Sequence, residues 1–229
     1  MRKIKLSHNN IQFISRVGTS DEKTFKEVVV GNTYEKADFK IQKGEKWIDL
    51  GGNVGAFALV AISKGAEVDI YEPDPFNCKM IEENLKLNNY DANIFNKAVV
   101  ANDEKKMKMY VANDMQVWRN SLYKNWGNQS FNVDCVHFTD VLNDTDLCCK
   151  MDIEGAEMPI LESMTLFPKK MVAEWSLDID ARLSRYRNAV DNLKNNYKKL
   201  IYQSQFYNLP DYKLPNNIFP KADNFFCYE

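Results

Sequence analysis

Acidic residues flank a glycine-rich segment at positions where they could bind a ligand. Asp49 stands directly before a turn that contains Gly51, Gly52 and Gly55, and Glu72 ends the next predicted strand. Glycine lets a ligand approach the backbone closely, and nucleotide-binding folds place an acid about 20 residues beyond such a turn, where it holds the ribose hydroxyls. The spacing therefore predicts a site for a nucleoside-containing cofactor.

The residues of the turn discriminate between cofactors. A dinucleotide fingerprint needs glycine at position 50, which is Leu50 here, and a pyrophosphate disfavours the negative charge of Asp49. The cationic amino-acid tail of S-adenosylmethionine suits an anionic Asp49 better. We therefore expect S-adenosylmethionine as the cofactor. The alternative is that the glycine turn only joins two strands of an α/β protein.

Two further acids, Asp152 and Glu174, end apolar strands that we expect beside the glycine-turn strand. Lys150, two residues before Asp152, points to the same sheet face if the strand is regular. Methyl transfer to a hydroxyl group needs that group deprotonated and aligned, by a carboxylate base or by a divalent cation. As metal ligands, Asp152 and Glu174 would suit Mg²⁺ or Mn²⁺ better than Zn²⁺. The alternative is that Asp152 caps a helix and Glu174 is a solvated strand end.

Three aromatic residues lie among polar residues in a stretch without clear periodicity. Trp118, Tyr123 and Trp126 could stack on the C–H faces of a sugar, or they could anchor a loop. His137 lies in a predicted strand, and we interpret it as a structural histidine and not as a base.

The elements that must position these residues alternate between strand and helix along the chain. This order predicts a mainly parallel sheet with helices on both faces and the cofactor at the carboxyl ends of the strands. The cofactor segment comprises a strand from Trp47 to Leu50 and a helix from Asn53 to Lys64. Further strands are predicted over Val68–Tyr71, Ala92–Val100, Lys105–Val111, Phe131–Phe138, Leu147–Asp152, Met171–Trp175, Leu200–Gln205 and Asn224–Tyr228, and further helices over Asp74–Leu87, Thr139–Leu142, Glu157–Met164 and Ile179–Tyr197.

Two regions are expected, a small β-rich N-terminal cap over residues 1–44 and one Rossmann-like domain over residues 45–229. Strand-like runs occur in the cap at Ile4–Leu6, Ile11–Ile14 and Glu27–Val30. The length of 229 residues, with 45% hydrophobic and 27% charged residues, is ordinary for a single globular domain.

The composition argues against several partners. The net charge is −2 and the basic residues are scattered, so we expect no nucleic-acid partner. We expect no membrane contact and a cytoplasmic location, because no apolar stretch resembles a membrane span or a signal peptide. Five cysteines without a CxxC pair favour buried free thiols in a reducing compartment.

Four motifs occur in the order WIDLGGNVG, YEPDP, EENLKLNN and KMDIEGAE. Together they resemble the FkbM family of S-adenosylmethionine-dependent methyltransferases, and the resemblance extends from about Asp21 to Glu174. It implies the class I Rossmann-like methyltransferase fold, with a seven-stranded sheet whose last strand is antiparallel. It also implies O-methylation, commonly of sugars in glycans or natural products.

The resemblance also assigns positions. It places Asp49, Gly51, Asn53 and Gly55 along the methionine part of the cofactor and Glu72 on the ribose. Gly52 stands where alanine is commoner in the family. The cofactor site predicted from all these arguments also includes Gly52, Pro73, Asn96 and Asp152; the catalytic group is Asp152, Glu154 and Glu174, and the acceptor site is Trp118, Tyr123, Trp126 and Glu157.

The function expected from the sequence is O-methyl transfer from S-adenosylmethionine to a sugar hydroxyl of a glycan or glycoside. One alternative is an O-methyltransferase that acts on a hydroxyl of a non-sugar small molecule. The other is a cofactor-binding module that has lost catalysis and serves as an interaction partner.

Overall fold

The computed structural model describes residues 1–112, 120–125, 129–176, 183–202 and 223–228. The strands are β1 (Lys3–His8), β2 (Ile11–Arg16), β3 (Lys46–Leu50), β4 (Glu67–Tyr71), β5 (Asn93–Phe95), β6 (Ala98–Val100), β7 (Lys106–Tyr110), β8 (Ser130–His137), β9 (Cys148–Met151), β10 (Lys170–Trp175), β11 (Lys199–Tyr202) and β12 (Asp223–Tyr228). The helices are α1 (Asp21–Thr24), which continues as a π-helical segment over Phe25–Val30, α2 (Ala56–Ser63), α3 (Pro75–Leu87), α4 (Phe138–Val141), α5 (Glu157–Ser163) and α6 (Leu183–Asn196).

Seven strands form the central sheet in the order β5-β4-β3-β9-β10-β12-β11. Among these described strands, β12 runs antiparallel to both of its neighbours, and the other pairs are parallel. Helices follow β3, β4, β9 and β10 in the chain, as parallel crossover connections require. This topology confirms the predicted class I Rossmann-like fold with an antiparallel last strand.

The prediction of one strand over Ala92–Val100 is wrong, because two separate strands lie there. β5 pairs with β4 in the central sheet, whereas β6 pairs with β8 in a second sheet of the order β6-β8-β7. The chain changes sheets at Asn96 and Lys97, and the second sheet has a small core of its own around Val100 and Met109.

The N-terminal region contains a hairpin of β1 and β2, but its third predicted strand is wrong. Glu27–Val30 belongs to the π-helical segment. Phe25, Val28 and Val29 are buried, whereas Val30 is 46% exposed. Spacings of three and four residues between buried side chains are typical of a helix and not of a strand.

The helices of the cofactor segment begin at residues suited to helix starts. α2 begins after Gly55, whose φ of 85° is left-handed, and so it starts later than predicted. α3 begins at Pro75, and the Asp74 side chain accepts a hydrogen bond from the Phe76 amide at 2.8 Å. None of the described helices combines the length and apolar character that crossing a membrane requires.

The alternation of side chains along the central strands produces two buried layers. On β3, β9 and β10, one face carries residues of the cluster that packs against the N-terminal region and α2, and the other face packs against α5 and α6. Trp47, Cys148 and Val172 belong to the first of these faces. Asp49, Lys150 and Glu174 each follow one of them by two residues and therefore lie on the same face. All five cysteines are buried, as predicted.

Candidate active site

Polar side chains form a row across the carboxyl ends of the central strands. Asp49 of β3 and Lys150 of β9 are direct neighbours in the parallel register, and Glu174 of β10 is opposite Asn224 of β12. Asp152 immediately follows the end of β9, and its amide donates to the Leu50 carbonyl at 3.1 Å. The carboxyl edge of a parallel sheet is where ligands bind in this class of fold.

A cavity of about 520 Å³ lies along this edge. The sequence-predicted residues that it brings together are Gly51, Gly52, Asn53, Glu72, Pro73, Asp152, Glu154 and Glu174. Tyr34, Lys150 and Asn120, to which the sequence analysis assigned no role, also line it. A cavity of this size is within the usual range for small-molecule sites.

The glycine turn is packed too tightly for side chains. Gly51 has a φ of 82°, and a Cβ atom there would lie 1.9 Å from the carbonyl oxygen of Asp152. A Cβ atom on Gly52 would lie 2.3 Å from Cγ2 of Ile70, which explains glycine at the position where alanine is commoner. The absence of side chains lets the end of β3 and the Asp152 backbone lie side by side.

Buried acceptors near this turn fit the cationic tail of S-adenosylmethionine. Asn53 Oδ1 is buried and accepts no hydrogen bond from the described residues. Asp49 is fully buried behind the turn and does not line the cavity, so it would act on a bound cation through its charge. Burial raises the pKa of Asp49, and Lys150, whose Nζ lies 3.1 Å from Asp49 Oδ1, partly offsets that rise. Gly55, also predicted here, lies off the cavity wall and starts α2.

Glu72 is held rigidly at the end of β4. Its Oε2 accepts from the Asn53 amide at 2.7 Å, and its Oε1 accepts from the Asp74 amide at 2.8 Å. Burial raises the pKa of Glu72 to about 8 although these amide hydrogen bonds act to lower it. Asn77 Nδ2 also donates to Oε1, at 3.5 Å, so Oε2 is the oxygen that can still accept a second hydrogen bond, from a ribose hydroxyl.

Asn96 supports this acid and is not part of the cavity wall. Its Nδ2 donates to the carbonyl oxygens of Glu72 and Pro73, both at 2.9 Å. Asn96 therefore fixes the backbone that presents the Glu72 side chain, and Glu72 and Pro73 themselves line the cavity.

Three carboxylates meet at the other end of the cavity. Among the described residues, Asp152, Glu154 and Glu174 each offer an oxygen, and these atoms lie within 4.8 Å of one another. Burial, followed by the charge of Asp152, raises the pKa of Glu174 well above its ordinary value. Glu174 therefore retains its proton more readily than an exposed glutamate does.

Lys150 and Tyr34 connect the two ends of the site. Lys150 Nζ donates to the Gly51 carbonyl at 2.7 Å and lies 4.0 Å from Asp152 Oδ2. Burial lowers the pKa of Lys150, but the charges of Asp49 and Asp152 outweigh that effect and the pKa is raised. The Tyr34 hydroxyl donates to Asp152 Oδ2 at 2.8 Å. Strand alternation pointed to the face of Lys150, whereas no sequence signal connected Tyr34 to this edge.

Glu157 does not line the cavity, so the structure does not bring it to the predicted acceptor site. It is fully buried, and its carboxylate accepts from the amides of Ile153 and Gly155, both at 2.8 Å. Ser176 Oγ also donates to it at 3.2 Å. Glu157 thus stabilises the turn that carries Glu154, and burial raises its pKa to about 7.

The predicted aromatic contacts find little support in the described residues. Tyr123 is 41% exposed and does not line the cavity, while Trp118 and Trp126 lie outside the described residues. Asn120 lines the cavity and donates to Asp74 Oδ2 at 3.3 Å, and Ser121 Oγ donates to the Glu154 carbonyl at 2.6 Å. This short segment therefore bridges the cofactor end and the acidic end.

His137 caps a helix, in line with its structural interpretation. Its Nδ1 lies 2.7 Å from Thr139 Oγ1 and accepts from the Thr139 amide at 3.4 Å, at the start of α4.

Several solved structures are similar to this chain. A methyltransferase FkbM from Methylobacillus flagellatus KT is 17% identical with a TM-score of 0.47, over 82% of this chain and 44% of that one. An S-adenosylmethionine-dependent methyltransferase from Agrobacterium tumefaciens is 14% identical with a TM-score of 0.50, over 99% and 70%. A Pyrococcus abyssi tRNA (uracil-54, C5)-methyltransferase, solved with S-adenosyl-L-homocysteine, is 12% identical with a TM-score of 0.48, over 98% and 43%.

The similarity to these proteins concerns the fold, because the identities are low. The chain spans less than half the length of the Methylobacillus and Pyrococcus proteins. A comparison with curated proteins found no significant match. The model of the methyltransferase FkbM domain, however, matches residues 49–198, which is more than half of the chain. The chain belongs to the FkbM family of S-adenosylmethionine-dependent methyltransferases.

Proposed function

We propose that this protein transfers the methyl group of S-adenosylmethionine to a hydroxyl oxygen of a sugar in a glycan or glycoside. The observation that carries the proposal is the continuity of the cavity from the glycine turn and Glu72 to the carboxylates of Asp152, Glu154 and Glu174. One end offers the acceptors that a nucleoside with an amino-acid tail requires. The other end offers a group that can take a proton from a hydroxyl.

The cofactor end of the cavity binds and orients S-adenosylmethionine. Glu72 accepts a hydrogen bond from a ribose hydroxyl, and Asn53 Oδ1 accepts one from the ammonium group of the methionine tail. When bound, S-adenosylmethionine supplies an electrophilic methyl group. Tyr71 and Pro73 line the wall beside Glu72, where they exclude water from the nucleoside.

The acidic end removes the proton of the acceptor. We assign Asp152 as the base, because the raised pKa of Glu174 favours its protonated form. Lys150 and Tyr34 both approach Asp152 Oδ2, and the Tyr34 hydroxyl donates a hydrogen bond to it. A carboxylate is a weak base for an alcohol, so the proton moves late, as the acceptor oxygen gains the methyl group.

The polar walls of the cavity support a polyhydroxylated acceptor. Thr24, Glu27, Thr33 and Asn224 line the cavity, and Asn224 is opposite Glu174 in the strand register. Such side chains offer donors and acceptors to several hydroxyls at once, as a sugar requires.

A divalent cation is a second route to the same proton transfer. Asp152 and Glu174, with Glu154, present oxygen ligands, the type that Mg²⁺ and Mn²⁺ prefer. The metal would lower the pKa of the acceptor hydroxyl. If this route operates, exhaustive chelation abolishes transfer and Mg²⁺ or Mn²⁺ restores it. Activity that survives chelation assigns the step to the carboxylate alone.

A panel of acceptors with a labelled methyl donor tests the proposed function. It contains sugar nucleotides, free glycans, glycosides, non-sugar aglycones and tRNA, the last because the Pyrococcus relative is a tRNA methyltransferase. Label on a sugar oxygen is the expected result. Label only on an aglycone supports the non-sugar alternative, and label on tRNA contradicts the proposal. Binding of S-adenosylhomocysteine without transfer to any acceptor supports the interaction-module alternative.

A further inference from the structure

Tyr34 lies before β3, outside the residues 49–198 that match the family model, yet its hydroxyl reaches the acidic end of the cavity. The Tyr34 hydroxyl donates to Asp152 Oδ2 at 2.8 Å, across 118 residues of sequence. The N-terminal region therefore supplies a polar group to the site, in addition to its apolar packing.

The Tyr34 ring is held in place on two sides. It packs edge to face against Phe57 of α2, with ring centroids 5.5 Å apart and an interplanar angle of 88°. The ammonium of Lys150 lies 5.4 Å from the centre of the Tyr34 ring. Because Tyr34 is only 9% exposed, its hydroxyl has a fixed direction toward Asp152.

The hydroxyl also remains a donor. Burial, followed by the charges of Asp152 and Glu174, raises the pKa of Tyr34 well above its ordinary value. Tyr34 therefore stays protonated across the neutral range, and its proton points to Oδ2. A tyrosine in this state cannot compete with Asp152 for the proton of an acceptor.

We propose that Tyr34 is a positioning residue that fixes Asp152 Oδ2, so that Asp152 Oδ1 receives the proton of the acceptor hydroxyl. The inference rests on the proposed role of Asp152 as the base. The acceptor O–H bond breaks and its proton passes to Oδ1, while the acceptor oxygen forms a bond to the methyl carbon. The electron pair of the broken carbon–sulfur bond remains on sulfur. Tyr34 gains and loses no proton in this step.

Several charged groups face Asp152 besides Tyr34. Lys150 lies beside it on β9, Glu174 on β10, and Glu154 in the following turn, with Asp49 beyond Lys150 and Glu157 beneath the turn. All of these remain when Tyr34 is replaced by Phe, and the phenyl ring preserves the packing on Phe57. Tyr34→Phe thus removes one hydrogen bond to the carboxylate and little else.

The test compares crystal structures of the wild-type protein, Tyr34→Phe and Tyr197→Phe, each saturated with S-adenosylhomocysteine. In the wild-type protein the Asp152 carboxylate should have one orientation, fixed by the Tyr34 hydroxyl at Oδ2. In Tyr34→Phe it should turn to another rotamer or occupy two, because the hydrogen bond that fixes Oδ2 is lost. Tyr197→Phe is the matched control, since the buried Tyr197 hydroxyl donates to the Pro168 carbonyl at 2.7 Å and does not line the cavity.

A changed Asp152 orientation in Tyr34→Phe with no change in Tyr197→Phe supports the proposal. The same single orientation of Asp152 in Tyr34→Phe and in the wild-type protein overturns it, and so does an equal change in both variants. The crystal structures need no acceptor, so their outcome is separate from that of the acceptor panel. With an acceptor in hand, Tyr34→Phe should lower kcat about tenfold and leave KM unchanged.

Discussion

At the scale of single residues, Asp152 carries the assigned proton transfer. Asp152→Asn keeps the size of the side chain but removes its ability to take a proton, so turnover should fall by a factor on the order of 100 or more. The affinity for S-adenosylhomocysteine, measured by calorimetry, should stay within about twofold of the wild-type value. Asp146→Asn, an exposed acid before β9, is the matched control and should change neither quantity. Normal turnover in Asp152→Asn would mean that the base lies elsewhere.

Glu72 is a residue whose burial predicts a pH dependence of stability. The pKa of an unfolded glutamate is 4.5, whereas burial raises the pKa of the folded Glu72 to about 8. Between these values the unfolded state binds fewer protons, so the stability of the fold decreases as pH rises, by about 1.4 kcal/mol per pH unit for one proton. Below pH 4.5 and above about pH 8, Glu72 causes no further change of the folding stability with pH.

Thermal unfolding of Glu72→Gln against wild type checks this dependence. Gln does not ionise, so the melting temperature of the variant relative to wild type should increase from pH 5 to pH 8, in the window set by Glu72. Glu67→Gln, which replaces an exposed acid on the same strand, should show no such trend. A difference that is constant with pH would show that Glu72 is ionised throughout.

Residue patterns indicate the strand-end residues of the site better than the residues that reach it through tertiary packing. Asp49, Gly51 and Glu72 follow from local spacing along consecutive elements, which a sequence records directly. Tyr34 meets Asp152 only after the N-terminal region has packed on the sheet, so no local pattern could indicate it. Glu157 has the same charge as its neighbours, and only its buried contacts with the Ile153 and Gly155 amides distinguish it from a cavity residue.

At the scale of elements, the contact between the ends of β3 and β9 joins the two halves of the site. A side chain on Gly51 would press on the Asp152 carbonyl, whereas Gly44 has a similar φ of 81° with open space around it. Both Gly→Ala changes impose the strain of a left-handed residue, about 1 to 2 kcal/mol. Gly51→Ala should therefore lose more stability than Gly44→Ala, and only Gly51→Ala should lose affinity for S-adenosylhomocysteine.

Chemical denaturation and calorimetry on the two variants measure these effects. Equal losses of stability in Gly51→Ala and Gly44→Ala would contradict the close approach of the two strands. If Gly51→Ala retains the wild-type affinity for S-adenosylhomocysteine, the turn is not part of the cofactor site.

Element predictions succeeded where one periodicity dominated. The strands β3, β4, β9 and β10 are short apolar runs between clear turns, and their prediction is confirmed. The sequence EVVV at Glu27–Val30 is rich in β-branched residues and favours a strand locally, but burial of Phe25 with Val28 and Val29 imposes helical spacing. In Ala92–Val100, the change of partner sheet depends on tertiary pairing, which periodicity does not encode.

At the scale of the whole molecule, we propose that one cavity aligns a methyl donor at the glycine turn with a sugar hydroxyl at Asp152. The net charge of −2 favours the proposed sugar acceptor over a polyanion such as RNA. In the proposed function, the polar walls of the cavity and the carboxylates recognise that acceptor.

The most direct measurement is transfer from S-adenosylmethionine with a ¹³C-labelled methyl group to the sugar and glycoside acceptors, with the product identified by NMR. We expect a labelled methyl group bonded to a sugar oxygen, formed by the wild-type protein and about 100-fold more slowly by Asp152→Asn. A methyl group on carbon, on nitrogen or on RNA would contradict the proposed function. So would the absence of any labelled sugar from a protein that binds S-adenosylhomocysteine.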